Sequence, residues 1–169
     1  MRVAIFDFDG TVYKKETFKV LMEQLKYHPV YGKRYKRFFL RMLPNYLAYK
    51  CKLQKEAVMK ENSMRHYLAT FKQEPIHEVE TFFYNVANQL TKDLNIDVIK
   101  RMEQHQTQGY KIMLVSGAFI PLLEGFIKEA KLPIDVIIGT EIPTQNGRIN
   151  RLQDLRHIQG DRKIEEIQK

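Results

Sequence analysis

Apolar residues form short runs at the start of the chain and again after residue 110, with helical repeats between them. Residues 3–8 and 111–115 are predicted strands, because they contain the runs 3–6 and 112–115, which are apolar without alternation, as is typical of strands buried on both faces of a parallel sheet. Residues 134–138 indicate a third short strand. Asn146-Gly147 predicts a hairpin turn between residues 140–142 and Arg148-Ile149. We therefore expect several strands, with the first one in the centre of a parallel sheet.

Between the first two strands the apolar residues follow the helical period. Phe18, Leu21, Met22 and Leu25 repeat at i, i+3, i+4 and i+7. Further apolar faces lie in residues 35–43, 53–71 and 76–90, and Pro44 is expected to kink or end the first of these segments. Residues 14–90 are therefore predicted to be entirely helical.

Two further helices alternate with the strands, one from residue 96 to near Gly109 and one at residues 120–127, and the tail from Asp161 to Lys169 is predicted to start another. Right-handed crossovers would bring all the strands into one sheet. The fold class expected is α/β, a Rossmann-like parallel sheet with an all-helical segment inserted after the first strand. The domains are predicted as an α/β core of residues 1–13 and 91–169 and a helical insertion of residues 14–90.

Two strand ends carry polar residues. Asp7 and Asp9 are two residues apart, so both can face one small volume just past the first strand. Mg²⁺ would suit two such carboxylates, because it prefers oxygen ligands. The alternative is a pair of acids in a surface turn. Ser116-Gly117 ends the second apolar strand, and the carboxyl ends of parallel strands converge.

This combination of side chains suits the hydrolysis of a phosphate monoester. Asp7 could be the nucleophile, and Asp9 could protonate the leaving oxygen and then activate water. Ser116 and the Gly117 N–H, placed at a helix N-terminus, could hold a phosphate oxygen. A lysine would have to supply the remaining positive charge.

The segment Phe6-Asp7-Phe8-Asp9-Gly10-Thr11-Val12 resembles the first motif of the haloacid dehalogenase (HAD) superfamily. Leu114-Val115-Ser116-Gly117 is similar to the second motif, and the helical insertion resembles the cap of the phosphoserine-phosphatase-like branch. The resemblance implies a Mg²⁺-dependent phosphatase with an aspartyl-phosphate on Asp7 and general acid/base catalysis by Asp9. The Asp7 side chain and the Asp9 carbonyl would hold the metal.

The resemblance also implies further site residues. Lys163 best fits the lysine of the third motif, although Arg162 or Lys169 could be its counterpart and Lys163 could be a surface helix lysine. Gly10, Thr11 and Gly117 are expected to bind the substrate. Glu16 is similar to the glutamate that phosphoserine phosphatases place over the substrate's amino group, or it is only a favourable partner of a helix dipole.

The fourth motif of the family is where the sequence departs from the pattern. Gly160-Asp161 with Glu165 has the expected spacing, but residues 154–159 do not form a buried-strand pattern. We therefore expect the chain to end before this motif. The metal would then lack one acidic ligand, and the edge of the strand carrying Asp7 would be uncovered. An inactive HAD-fold regulatory domain is the corresponding alternative.

The net charge of +8 is concentrated in one part of the 169 residues. Residues 14–60 hold 13 Lys and Arg against three acids, whereas the remainder has 15 bases and 17 acids. Such a block could attract a phosphorylated substrate, nucleic acid or anionic lipid, or it could be a solvated helical surface. A small phosphorylated substrate is expected and nucleic acid is not. The main rival to an enzyme is a binding module, in which the basic, aromatic-rich segment 31–55 docks on an anionic membrane or on nucleic acid.

Cellular location is indicated by the single cysteine. Cys51 cannot form an internal disulfide, which fits a reducing, cytoplasmic compartment, and it is interpreted as a spectator thiol. No apolar run is long enough to span a membrane, and the initial strand argues against a cleaved signal peptide. The histidines lack metal-ligand spacing and are interpreted as structural or surface residues: His28, His66, His77, His105 and His157.

Overall fold

The computed structural model describes residues 2–72, 74–150 and 155–168. The chain divides into two compact units. An α/β unit comprises Met1–Phe18, Glu80–Glu141 and His157–Lys169. A second unit, largely helical, comprises Lys19–Val79 and Ile142–Arg156.

The α/β unit contains a three-stranded parallel sheet in the order β1-β2-β3. Strand β1 (Val3–Asp7) pairs with β2 (Lys111–Phe119), and β3 (Val136–Thr140) lies on the other side of β2. The first strand is therefore at an edge of the described sheet, and the prediction that it is central was wrong. Among the described strands β1 pairs with β2 alone, so its other edge is uncovered there, as expected from the departure at the fourth motif.

Strand β2 is longer than the sequence pattern predicted. It continues through Ser116-Gly117 to Phe119, and its register with β3 shifts between Val115 and Phe119. The next helix, α6 (Ile120–Ala130), begins only after Phe119, and Pro121 suits its first turn. The prediction that Gly117 lies at a helix N-terminus was therefore wrong. The physical reason is that Ala118 and Phe119 are buried and extend the strand into the core.

Four helices accompany the sheet. They are α4 (Ile76–Leu90), whose first residues belong to the other unit, α5 (Ile96–Thr107), α6 (Ile120–Ala130) and α7 (Asp161–Ile167). A 3₁₀ turn, Thr91–Asp93, links α4 to α5. The core between these elements is aromatic: the ring centroids of Phe8 and Phe126 are 4.8 Å apart and those of Phe83 and Phe119 are 5.0 Å apart.

The helical unit contains α1 (Thr17–Tyr27, whose first two residues belong to the α/β unit), α2 (Gly32–Lys50), α3 (Glu56–Leu68) and a 3₁₀ turn, Ala69–Phe71. Its core is built on the buried ring of Tyr67, which packs on Phe38 and Phe71 at centroid distances of 5.6 and 5.7 Å. The Tyr67 hydroxyl donates to the Leu21 carbonyl at 2.8 Å, so its polar end is satisfied.

Helix α2 continues through Pro44 to Lys50, so Pro44 does not end the helix. Proline removes the hydrogen bond to the carbonyl four residues earlier, that of Leu40. Leu40 is exposed, and water can therefore solvate that carbonyl.

The predicted hairpin is present as β4 (Thr144–Gln145) and β5 (Arg148–Ile149), with β4 later in the chain than expected. Asn146 and Gly147 have φ of 52° and 69°, as this tight turn requires. Within the described residues, none of the helices is long and apolar enough to cross a membrane.

Candidate active site

Asp7 is the last residue of β1, and its side chain is 52% exposed. Its Oδ1 accepts a hydrogen bond from its neighbour's backbone, the Phe8 N–H, at 2.9 Å. The same oxygen lies 2.7 Å from Nζ of Lys163, the third residue of α7. The structure thus brings together two residues that sequence analysis had linked only through the family resemblance.

The chain turns sharply after β1. Gly10 has a φ of +73°, a backbone conformation that side chains disfavour. The N–H groups of Thr11 and Tyr13 both donate to the Phe8 carbonyl, at 3.2 and 3.0 Å. Phe8 and Tyr13 are buried, whereas Gly10 is exposed. The turn is therefore anchored in the core while its tip, Gly10 and Thr11, stands beside the end of β1.

Asp9 lies in a different environment from Asp7. Its two carboxylate oxygens accept hydrogen bonds from Thr17, Oδ1 from the backbone N–H at 2.8 Å and Oδ2 from the hydroxyl at 3.1 Å. Burial raises the pKa of the Asp9 carboxyl, the Thr17 hydrogen bonds oppose this, and the charges of Glu16 and Asp7 raise it further. The net upward shift favours a protonated Asp9, which is the form a proton donor needs.

Glu16 is exposed and immediately precedes α1. Its charge acts on the Asp9 carboxyl, which places it in the electrostatic surroundings of the site. No described contact assigns it a ligand, so its part in substrate binding stays a prediction.

Ser116 and Gly117 lie in β2, beside the end of β1. The Ser116 side chain is fully buried, and its Oγ accepts a hydrogen bond from the Ala118 N–H at 3.0 Å. A Cβ on Gly117 would lie 2.6 Å from Cε1 of His157 and 3.1 Å from the Ile158 carbonyl oxygen. Position 117 thus requires glycine because residues 157–158 pack directly against its backbone.

Thr140 and His157 form a polar cluster that the sequence analysis missed. The Thr140 hydroxyl donates to the Gly117 carbonyl at 2.8 Å and accepts from the Ile158 N–H at 3.2 Å. Nδ1 of His157 lies 3.2 Å from the same hydroxyl, and the imidazole is buried. Thr140 ends β3, so the strand-end rule that singled out Asp7 could have found it, whereas nothing in the sequence pattern indicated His157.

The lysine of the site comes from α7. Gly160 precedes this helix with a φ of +58°, and the Lys163 N–H donates to its carbonyl at 3.0 Å. Arg162 instead donates to the His157 carbonyl, at 3.3 Å, and is exposed. Lys169, the other alternative, lies outside the described residues. Of the two described candidates, only Lys163 contacts Asp7.

The residues present fit a hard divalent cation. Within the described residues, Oδ2 of Asp7 and the Asp9 carbonyl oxygen accept no hydrogen bond, whereas both carboxylate oxygens of Asp9 are held by Thr17. Mg²⁺ is commonly held by one or two carboxylates and completed by water and substrate phosphate. The described part of the chain has no cluster of three His, Cys, Asp or Glu side chains suited to a metal. The Asp7 carboxylate and the Asp9 carbonyl are therefore the candidate ligands.

An exposed, ion-paired carboxylate ends the first strand of a parallel sheet, and a half-buried carboxyl follows two residues later. This arrangement defines an α/β protein with a polar site at its strand ends. The sequence profile of the haloacid dehalogenase-like hydrolases matches residues 4–169. The chain therefore belongs to this hydrolase family, as the motifs in the sequence predicted. None of the curated proteins compared with the chain matches it.

Solved structures share the fold at low sequence identity. A protein of unknown function from Bordetella pertussis Tohama I has a TM-score of 0.67 at 12% identity, with 92% of this chain and 66% of that chain covered. A HAD family hydrolase from Salmonella enterica serovar Typhi has a TM-score of 0.64 at 11% identity, with 96% and 48% covered. A probable phosphoserine phosphatase from Vibrio cholerae has a TM-score of 0.60 at 13% identity, with 96% and 44% covered.

These likenesses confirm the predicted fold class, a parallel α/β sheet with helices. This chain spans between 44% and 66% of the length of the three structures. At identities this low, the likeness to these structures shows the fold alone.

Proposed function

We propose that this chain is the catalytic part of a Mg²⁺-dependent phosphomonoester hydrolase that forms an aspartyl-phosphate. The observation that carries the proposal is the 2.7 Å contact between Asp7 and Lys163, beside a second carboxyl, Asp9, whose pKa is raised by burial. A nucleophile, a charge partner and a proton donor are the three groups that phosphoryl transfer from a monoester requires.

In the first step, a carboxylate oxygen of Asp7 attacks phosphorus as the bond between phosphorus and the ester oxygen breaks. Lys163 offsets the negative charge that gathers around the phosphoryl group. Protonated Asp9 gives its proton to the leaving oxygen, so that the product departs as an alcohol. The products of this step are the free alcohol, a phosphorylated Asp7 and an ionised Asp9.

In the second step, Asp9 accepts a proton from water, and the water oxygen attacks the phosphorus of the aspartyl-phosphate. The bond between phosphorus and the Asp7 oxygen breaks, which releases inorganic phosphate and regenerates both carboxyl groups. A cation held by the Asp7 carboxylate and the Asp9 carbonyl would supply charge neutralisation to the phosphate oxygens. Gly10 and Thr11, at the tip of the turn beside β1, are the first proposed phosphate-binding residues. Ser116 and Gly117 are proposed on the motif resemblance alone, because the Ser116 side chain is buried and Gly117 lies within β2.

The proposed substrate is a small phosphorylated metabolite. The fold is shared with a probable phosphoserine phosphatase, and Glu16 offers an exposed carboxylate near Asp9 that suits an amino group. A phosphorylated amino acid is therefore the first class of substrate to examine. The exposed thiol of Cys51 is in keeping with a reducing, cytoplasmic location, which we also propose.

The proposal is tested by phosphatase assays with p-nitrophenyl phosphate and phosphoserine, in Mg²⁺ and in EDTA. We expect Mg²⁺-dependent release of phosphate by the wild type and none by Asp7→Asn, which keeps the shape of the side chain but is not a nucleophile. Lys128→Gln, an exposed position on α6, serves as the control for substitution in general. Equal rates for the wild type and Asp7→Asn would refute the proposal.

A further inference from the structure

One face of α2 exposes leucines to solvent. Leu40 and Leu47 are seven residues apart and are 68% and 51% exposed, and Pro44 between them is also exposed. Residues with this spacing lie on the same side of a helix. Leu53, in the turn after the helix, is 83% exposed. Exposed leucines grouped in this way mark an interaction surface more often than isolated ones do.

The same face is strongly basic. Exposed lysines and arginines flank the leucines: Lys33, Lys36, Arg37, Arg41 and Lys50. The sequence has no acidic residue between Glu23 and Glu56. Within the described residues, none of these five bases forms a salt bridge. The α2 face, defined as these five bases with Leu40, Pro44 and Leu47, therefore combines positive charge with apolar surface.

We propose that the α2 face docks on an anionic lipid bilayer. The apolar centre and basic flanks match a helix that lies in the membrane plane, with leucines in the acyl boundary and bases at the headgroups. Lysine and arginine can reach the headgroups while their stems cover apolar surface. A single-stranded nucleic acid would contact the lysines, arginines and aromatic rings, but it offers no partner for the aliphatic leucines. This inference is independent of the proposed phosphatase reaction.

The experiment is flotation of the whole chain with vesicles of equal parts phosphatidylglycerol and phosphatidylcholine, compared with phosphatidylcholine alone. We expect binding to the anionic vesicles only, weakened by salt. Arg37→Gln with Arg41→Gln should weaken binding about 25-fold, because each basic side chain near an anionic surface contributes about fivefold. Leu40→Asn with Leu47→Asn should weaken it by about tenfold or more.

The matched controls lie in the α/β unit. Ile96→Asn replaces another half-exposed apolar residue, and Lys100→Gln with Lys128→Gln removes two exposed charges, so neither should change binding. Circular dichroism melting of every variant separates lost binding from lost folding.

Three results would each overturn the inference. The first is no binding of the wild type to anionic vesicles, and the second is equal losses in the control variants. The third is binding that depends on Arg37 and Arg41 but not on the leucines. That last pattern, with stronger binding to RNA or to an acidic protein than to vesicles, would assign the face to a purely electrostatic partner.

Discussion

Replacement of Lys163 by methionine tests the contact on which the proposed reaction depends. Methionine keeps an unbranched side chain of similar length and good helix propensity, so α7 should be retained. The change removes one positive charge and the 2.7 Å contact with Asp7. We expect a large effect on turnover and a small effect on the free energy of unfolding.

The effect on turnover should be large. A preorganised charge partner that acts where negative charge develops typically accounts for about 10²- to 10³-fold in kcat. The effect on stability should be small, because the Lys163 and Asp7 side chains are 26% and 52% exposed, and solvent screens the pair. Exposed ion pairs contribute about 0.5 kcal/mol to the free energy of unfolding. We therefore expect a nearly inactive protein that is nearly as stable as the wild type.

The assay is steady-state hydrolysis of p-nitrophenyl phosphate at saturating Mg²⁺, with urea unfolding of the same samples. Arg162→Met is the discriminating control, because it is the neighbouring base on α7 and contacts the His157 carbonyl instead of Asp7. Lys163→Arg keeps the charge and should recover part of the activity.

The reasoning would be refuted if Arg162→Met lost as much turnover as Lys163→Met, or if Lys163→Met turned over at the wild-type rate. A loss of stability of several kcal/mol in Lys163→Met would also contradict it, since the contact would then be structural.

Three further predictions concern the surroundings of the site. Asp9→Asn should abolish turnover and raise the free energy of unfolding at neutral pH. The pKa of Asp9 is raised in the folded state, so ionised Asp9 destabilises the fold: this cost is absent below the unfolded-state pKa and grows as the pH rises toward and through the folded-state pKa. Urea unfolding at acidic and neutral pH measures the effect, and an equal gain in stability at both pH values would contradict it. Thr140→Val should lower the free energy of unfolding by about 2 kcal/mol, because the Gly117 carbonyl and the Ile158 N–H lose a buried partner, whereas Thr140→Ser should not. Gly117→Ala should lower the free energy of unfolding by about 1–3 kcal/mol, because the added methyl group would contact His157. The loss should be smaller in a His157→Ala background, and equal losses in both backgrounds would exclude that contact as the cause.

The sequence pattern predicted most elements because burial dictates periodicity. The apolar run of β1 and the repeats of α1 and α4 correspond to elements of the structure, and Asn146-Gly147 forms the predicted turn. Pairing within the sheet is less local. Whether β1 is central or at an edge depends on which strands are available to pair, and its own residues do not encode that.

The extent of β2 and the cluster at its end could not be predicted for related reasons. Ser116 and Gly117 are typical strand-ending residues, but burial of Phe119 extends the strand past them. The approach of residues 157–158 to Gly117 depends on a segment without helical or strand periodicity, and only the folded chain brings it there. Lys163 could be proposed only because the family motif specifies a helix after the hairpin.

The contact between Asp9 and Thr17 connects the proposed acid to the start of the helical insertion. Thr17 is the first residue of α1. Its N–H has no acceptor within the helix and donates to the Asp9 carboxylate instead. The partial positive charge of that terminus favours ionised Asp9, whereas burial favours the protonated form, and burial is the larger effect. A carboxyl balanced in this way can both give and accept a proton, as the two proposed steps require. Because the balance depends on where α1 begins, a change that shifts the first turn of α1 should alter the pH dependence of turnover without touching Asp7 or Lys163.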